Sequence, residues 1–311
     1  MSRQLTMLAF VLALAFQSAA LAQRAPDEAA TFAVTLGNNY RVVSNVTYLT
    51  ASGMDLKLDV YSPRATGPVP TVLFFHGGGY RLASKKENSV LSLLPYIQMG
   101  WNAINVEYRP TNVALAPAAV EDARCAVRWA VQNAKEYNID VNKIVVTGQS
   151  AGGHLALMAG LAPASAGFDR NCPAADPLKI AAVVNWYGIT DFVPLVDDPS
   201  RTYAMTWIGN QPNYKQVAAQ VSPVTYASRA GLPAVITIHG DADPTVPYEQ
   251  APKLIDALKK AGGQTELVTI PGGRHGGFDR EQMLRAFSAI EAFLAKNGVA
   301  KAASTQTASA R

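Results

Sequence analysis

Four short stretches of the chain combine residue types that do acyl-transfer chemistry. The first is Thr147–His154, "TGQSAGGH", in which Ser150 stands between Gly148 and Gly152. This G-x-S-x-G spacing suits a sharp strand-to-helix turn that lifts a serine hydroxyl above a sheet. The residues two before and two after the serine must then be small. The second is His76-Gly77-Gly78-Gly79. Successive glycines let the backbone approach a substrate closely and aim N–H donors at a developing oxyanion. Gly78 and Gly79, together with the N–H of Ala151, are the expected donors.

A nucleophilic serine needs a base, and the chain has four histidines. His154 is nearest in sequence but lies one turn into the helix that Ser150 opens, pointing away from the hydroxyl. His76 precedes the donor glycines and is placed to orient their loop. His239 ends an apolar run and reads as a support for the loop that follows. His275 lies in the glycine-flanked stretch "PGGRHGGF", from which an imidazole can reach another strand end, and it is the expected general base. The acid belongs in "HGDADPTVP", which offers Asp241 and Asp243. Asp241 follows the glycine turn and is placed to brace the loop. Asp243, further round, is better placed to accept the second ring N–H of His275. Serine, acid and histidine then follow one another in the chain order of folds with a nucleophile elbow.

The elements around these motifs alternate. Strands are expected at Val42–Thr50 and Leu56–Tyr61, joined through Ser52-Gly53, and at Thr71–Phe75 and Asn102–Tyr108. A helix is expected over Ala116–Tyr137, with Val120, Ala123, Val127, Ala130, Val131 and Ala134 facing a core. Lys143–Thr147, Ala181–Tyr187, Ala234–His239 and Thr265–Ile270 complete the strands. Further helices are expected from Ser150, near Pro247–Ala261 and over Glu281–Lys296. Short apolar strands alternating with helices predict an α/β fold, a mostly parallel sheet covered on both faces. Each motif falls just after a strand, so one sheet edge collects them all. Residues 189–226 fit neither period and read as an irregular or helical insertion over that edge.

The ordered set "HGGG", "GQSAGG", "HGDADPTVP" and "GGRHGGF" resembles an α/β-hydrolase. "VEYRP" followed by "APAAVEDARCAVRW" is similar to the hormone-sensitive-lipase-like esterases and to the bacterial feruloyl-esterase-like branch beside them. The resemblance implies an eight-stranded sheet and ester hydrolysis with no metal and no organic cofactor. It carries the nucleophile to Ser150, the acid to Asp243, the base to His275 and the oxyanion donors to Gly78 and Gly79. Tyr80 stands where many such proteins have tryptophan, and residues 23–40 are too few for a long N-terminal cap. Tyr80, Trp186, Tyr187, Trp207 and Phe278 are candidate contacts for an acyl or aryl group, and each serves equally well as packing. The expected partner is a small-molecule ester. A feruloyl or acetyl-carbohydrate ester is the nearest alternative, and a catalytically silent hydrolase fold used for binding is the rival from another class.

Composition narrows the setting. The 311 residues are 49% hydrophobic and 16% charged, enough for one large core or two modest ones and unlike a disordered chain. The formal charge is +4, but no basic run exceeds Lys85-Lys86 or Lys259-Lys260, so no nucleic acid partner is expected. Arg3, an apolar stretch over Met7–Phe16 and the small-x-small end Ala20-Leu21-Ala22 fit a secretory signal peptide cleaved after about Ala22. That stretch is too short to span a bilayer as a helix, and no cysteine stands at the cleavage point for a lipid. An exported, periplasmic or secreted protein with no stable membrane anchor is expected. The hydrolase domain is expected over residues 23–298, with a disordered tail at 299–311. Cys125 falls opposite the core stripe of its helix, among Glu121, Arg124, Arg128 and Gln132. A bridge to Cys172 is one expectation in an oxidising compartment, and two separately covered thiols are the other. Oligomeric state leaves no mark in the sequence.

Overall fold

A computed structural model describes residues 28–81, 89–174 and 176–301. The expected signal peptide, Lys85-Lys86 and all of the tail beyond residue 301 lie outside these. The chain divides into two compact units at residues 41 and 42. The described part of the first contains helix α1 (Glu28–Asn39), which the sequence reading did not anticipate.

The second unit is built on an eight-stranded sheet, β1 (Tyr40–Ala51, of which Val42 onward falls in this unit), β2 (Met54–Pro63), β3 (Val69–Phe75), β4 (Asn102–Val106), β5 (Ile139–Gln149), β6 (Ala182–Trp186), β7 (Ala234–Gly240) and β8 (Thr265–Ile270). Their order across the sheet is β1-β2-β4-β3-β5-β6-β7-β8. β2 pairs antiparallel with β4, and every pairing from β4 to β8 is parallel. Sequence pattern accounts for these places. β2 buries Leu56, Leu58 and Val60 at every second position, the alternation of a strand with one face on the core. Burying each such side chain stabilises by roughly 1.5–3 kcal/mol. β6 and β7 are buried at every residue, as apolar strands with helices on both faces must be.

Helices α2 (Ser89–Gln98), α3 (Ala118–Gln132), α4 (Ala151–Leu161), α7 (Gln250–Lys260) and α8 (Arg280–Lys296) cover the sheet. Within residues 189–226 lie two short helices, α5 (Thr202–Ile208) and α6 (Tyr214–Gln220), and a 3-10 turn at Pro223–Tyr226. Buried Gln250 on α7 pins the start of this segment. Its Oε1 accepts from the backbone N–H groups of Thr190 at 2.9 Å and Asp191 at 2.8 Å.

The strand order reverses direction between β3 and β5. From β3 the chain steps outward to β4, and from β5 it steps the other way to β6. The loops leaving the carboxyl ends of these two neighbours diverge and leave a crevice, the usual ligand position in such sheets. His76–Gly79 leaves β3 there and Ser150 ends β5 there.

The polar side of α3, which carries Cys125 and with it the two cysteine expectations, does not face solvent. Glu121, Asp122, Arg124, Cys125 and Arg128 are all buried. Charge pairing with the loop after α4 makes this possible. Arg124 Nε donates to Asp169 at 2.7 Å, Asn171 donates to Glu121 at 2.9 Å, and Arg170 pairs with Glu121 at 2.6 Å. On the other flank Arg109 Nη2 meets Asp122 at 2.7 Å and Glu121 at 3.2 Å. Cys125 is bonded to Cys172 in the same loop, a link spanning 47 residues of sequence. A loop of that length, if free in the unfolded chain, costs about 4 kcal/mol more to close without the link. Cys172→Ser is therefore expected to lower unfolding stability by about 2–4 kcal/mol, read as the urea midpoint of variant against oxidised wild type. Equal midpoints would remove the bridge from the stability of the fold.

Candidate active site

β5 runs directly into Ser150, whose backbone is held at φ 56° and ψ −119°. A non-glycine residue there costs on the order of 1–3 kcal/mol and persists only where its surroundings enforce it. They do so through the backbone. Ser150 N donates to Trp186 O at 2.9 Å on the neighbouring strand, and Ser150 O accepts from His154 N at 3.0 Å. Close packing fixes the flanking residue types. A Cβ at Gly152 would lie 1.9 Å from Phe75 O, and one at Gly148 would lie 2.5 Å from the same oxygen. The elbow is thus pressed onto the end of β3, which brings the following loop beside the serine. Gly78 and Gly79 take φ 112° and 59°, values that only glycine adopts freely, and both line the same cavity as Ser150. Ala151 opens α4, where the first N–H groups have no acceptor within the helix.

Across the crevice, the loops after β7 and β8 supply the other groups. His275 Nε2 lies 2.8 Å from Ser150 Oγ, and its Nδ1 lies 2.7 Å from Asp243 Oδ2. The carboxylate only accepts, so Nδ1 carries the proton and Nε2 is free to accept from the serine. The Asp243 side chain is wholly buried, and that of His275 is 20% exposed. Burial alone pushes the Asp243 carboxyl up. Hydrogen bonds from His239 and His275, electrostatic attraction to the His275 ring and the Thr245 N–H outweigh it and hold the group well below the ordinary carboxylate range. Asp243 Oδ1 accepts from the N–H groups of Thr245 at 2.8 Å and Val246 at 3.0 Å. His239, itself fully buried, places Nε2 3.2 Å from Asp243 Oδ2 and 3.1 Å from Val246 O. Two acceptors at one nitrogen require a proton on it, so His239 donates to the same carboxylate as His275. Asp241 is exposed and accepts from Gly272 N at 2.7 Å, tying the β7 loop to the β8 loop.

The two remaining histidines hold structure. His76 stacks on Tyr108 with ring centroids 4.3 Å apart, and Tyr108 OH donates to His76 O at 2.8 Å. Burial lowers the affinity of His76 for a second proton. His154 Nε2 donates to Val221 O at 2.7 Å, so Nδ1 accepts from Tyr80 OH at 2.9 Å. Its complete burial, opposed by the Val221 bond, drops the pKa to about 3.

A cavity of about 340 Å³ opens over Ser150 and His275, with Arg81, Tyr187, Ile189 and Tyr203 on its walls. Of the five candidate substrate contacts, Tyr187 lies on this cavity. Phe278 lies on a second opening of about 380 Å³ that shares His275, with its ring edge-on to Tyr187 at 5.7 Å. Three others are corrected. Tyr80 and Trp207 are fully buried and stacked on each other at 4.0 Å, with Phe192 and His154 around them, so neither reaches the cavity. The Trp186 ring packs on Phe287 at 5.2 Å and lines a different space of about 110 Å³. Arg81, Ile189 and Tyr203 were missed. Arg81 sits one residue beyond the glycine motif, whereas Ile189 and Tyr203 fall in the stretch without period. Among the described residues, no group of three or more His, Cys, Asp or Glu is arranged to hold a metal ion, and no helix is long and apolar enough to cross a membrane.

A strand order of this kind, a serine elbow between β5 and α4 and an imidazole held by a carboxylate define an α/β-hydrolase. Residues 58–258 match the BD-FAE family model, and the chain belongs to that family. Esterase LipC of Mycobacterium tuberculosis is 29% identical over 70% of this chain and 56% of its own length. The probable carboxylic ester hydrolase LipM of the same organism is 30% identical over 74% and 55% respectively. The chain thus spans about half the length of these curated relatives. Among solved structures, a truncated carbohydrate esterase from gut microbiota superposes with a TM-score of 0.71 at 25% identity, covering 84% of this chain and 97% of that one. Thermogutta terrifontis esterase 2 phosphonylated by sarin gives 0.71 at 28% identity, covering 89% and 99%.

The buried histidines make stability depend on pH in a stated direction. The unfolded chain protonates His154 below about pH 6.5, whereas the folded state holds it neutral down to about pH 3. Stability is then lost as pH falls through that window, by about 1.4 kcal/mol per pH unit for this residue, and His76 acts in the same direction. Urea unfolding between neutral pH and pH 4 is expected to show this slope, made shallower in His154→Gln. An identical slope in that variant would contradict the burial argument.

Proposed function

We propose that the protein is a serine carboxylesterase. The observation that carries this reading is the unbroken hydrogen-bonded line from Asp243 through His275 to Ser150 Oγ, at 2.7 and 2.8 Å, on the wall of an open cavity. Ser150 attacks the ester carbonyl as His275 Nε2 takes its proton. Asp243 holds the ring in the tautomer that leaves Nε2 free and stabilises the imidazolium that forms. The N–H groups of Gly78, Gly79 and Ala151 stabilise the oxyanion of the tetrahedral intermediate. The C–O bond to the alcohol then breaks, with the proton on His275 passing to the leaving oxygen. Water, deprotonated by His275, hydrolyses the acyl-enzyme and restores Ser150. The likeness to named esterases and to a phosphonylated one supports the same chemistry.

A feruloyl or acetyl-carbohydrate ester is the alternative substrate. The BD-FAE match and the likeness to a carbohydrate esterase favour it. The Cys125–Cys172 bridge supports a site of action outside the reducing cytosol, after export by the signal sequence. An N-terminus beginning near Gln23 on the protein recovered from an exporting host is the expected result, and an intact Met1 would contradict it.

Ser150→Ala is expected to cut turnover of a short p-nitrophenyl ester by about three orders of magnitude or more and to abolish labelling by a fluorophosphonate. Wild-type turnover in the pure variant would end the proposal. Absence of labelling in the folded wild type would favour the silent, ligand-binding rival.

A further inference from the structure

The cavity over Ser150 and the second opening beside it meet at His275. Their charges are one-sided. Arg81 lines the first and Arg274 the second, and among the described residues no aspartate or glutamate lines either. Both arginines are exposed, and neither has a carboxylate partner among the described residues. Three acids on the loops around these openings are already committed. Asp243 is buried behind His275, Asp241 accepts from Gly272 N, and Asp279 caps α8 by accepting from Gln282 N. A third cation, Arg201, lies against the outside of the same wall. Its Nη1 donates to the carbonyls of Pro244 and Thr245, and its charge is offset in part by Asp198 at 3.6 Å.

We infer that the site selects esters carrying a carboxylate in addition to the scissile ester. This rests on the esterase reading above and adds the substrate class. A guanidinium offers a planar fork of donors that matches a carboxylate, and an arginine without a partner gains more from a substrate anion than one already paired. A cleft lined by one sign of charge also raises the local concentration of the opposite ion. Arg81, one residue beyond the tyrosine that follows the oxyanion glycines, is the nearer specificity residue to the nucleophile. Arg274, beside the general base, is the second. The carboxylate comes either from the acyl side, as in a half-ester of a dicarboxylic acid, or from the alcohol side, as in an acylated hydroxybenzoate.

Two pairs of substrates separate these sources. Mono-p-nitrophenyl adipate against p-nitrophenyl hexanoate places the charge on the acyl side, and p-acetoxybenzoate against p-acetoxybenzamide places it on the alcohol side. For each pair the quantity read is the ratio of kcat/KM, anionic over neutral. The wild type is expected to favour the anionic member of at least one pair. That ratio is expected to fall about threefold to tenfold in Arg81→Gln or Arg274→Gln, further in Arg81→Glu, and to recover in Arg81→Lys. It is also expected to shrink between about 20 mM and about 300 mM salt as screening shortens the reach of the charges. Ratios that are the same in wild type and every arginine variant, or a wild type that disfavours both anionic esters, would overturn the inference while leaving the esterase reading intact. A wild type that cleaves none of the four esters overturns both, whereas loss of all four only in Ser150→Ala upholds the triad independently of Arg81.

Discussion

The site depends on one backbone constraint, the positive φ of Ser150 where β5 turns into α4. A serine in an ordinary strand-to-helix connection would lie flat against the sheet. Held at φ 56°, it stands above the sheet edge. The turn closes only if its neighbours give way, and Gly148 and Gly152 have no side chain to obstruct it. Their bareness lets the end of β3 lie against the start of α4, and the loop after β3 therefore arrives beside the hydroxyl. The strain is local and the restraint is not. All of α4 except Gly160 is buried, so the turn is clamped by a helix that has nowhere to move.

A second level of organisation is electrostatic. One buried carboxylate, Asp243, accepts from two imidazoles and two backbone N–H groups. The four histidines thus divide by surroundings. His275 is part-exposed and faces a hydroxyl. His239 shares its acid but is sealed from solvent. His154 and His76 are kept neutral by burial and take part in packing. Their roles follow from what each ring nitrogen meets, which the identity of the residue does not reveal.

The line from Asp243 through His275 to Ser150 is legible in the sequence because its markers are local. Glycine, serine and histidine break apolar strands in a fixed order, and the alternation of strands and helices places those breaks at one edge. All eight strands were anticipated within a few residues. What stayed hidden depends on partners distant in the chain. Tyr80 directly follows Gly77-Gly78-Gly79 and so reads as a pocket residue. It is buried because Trp207 covers it, and α5 is only seven residues long, too short to show a period. The burial of the charged side of α3 depends on a loop distant in the chain, to which Cys172 is the one pointer in the sequence. Helix α2 has an internal Pro95 and was not read at all.

The stack of Tyr80 on Trp207 has a consequence for how such a site changes over time. Tyr203, which looks into the cavity, and Trp207, which plugs the core, lie one helical turn apart on α5. The plug sets where the helix sits, and the outward residue sets what the cavity admits. Selection can therefore exchange Tyr203, or the length of chain on either side of α5, while the aromatic anchor keeps the helix in register with Ser150. The shape of the cavity in this architecture is a replaceable fitting on a fixed mount, open to drift and tailoring without renegotiating the fold beneath it.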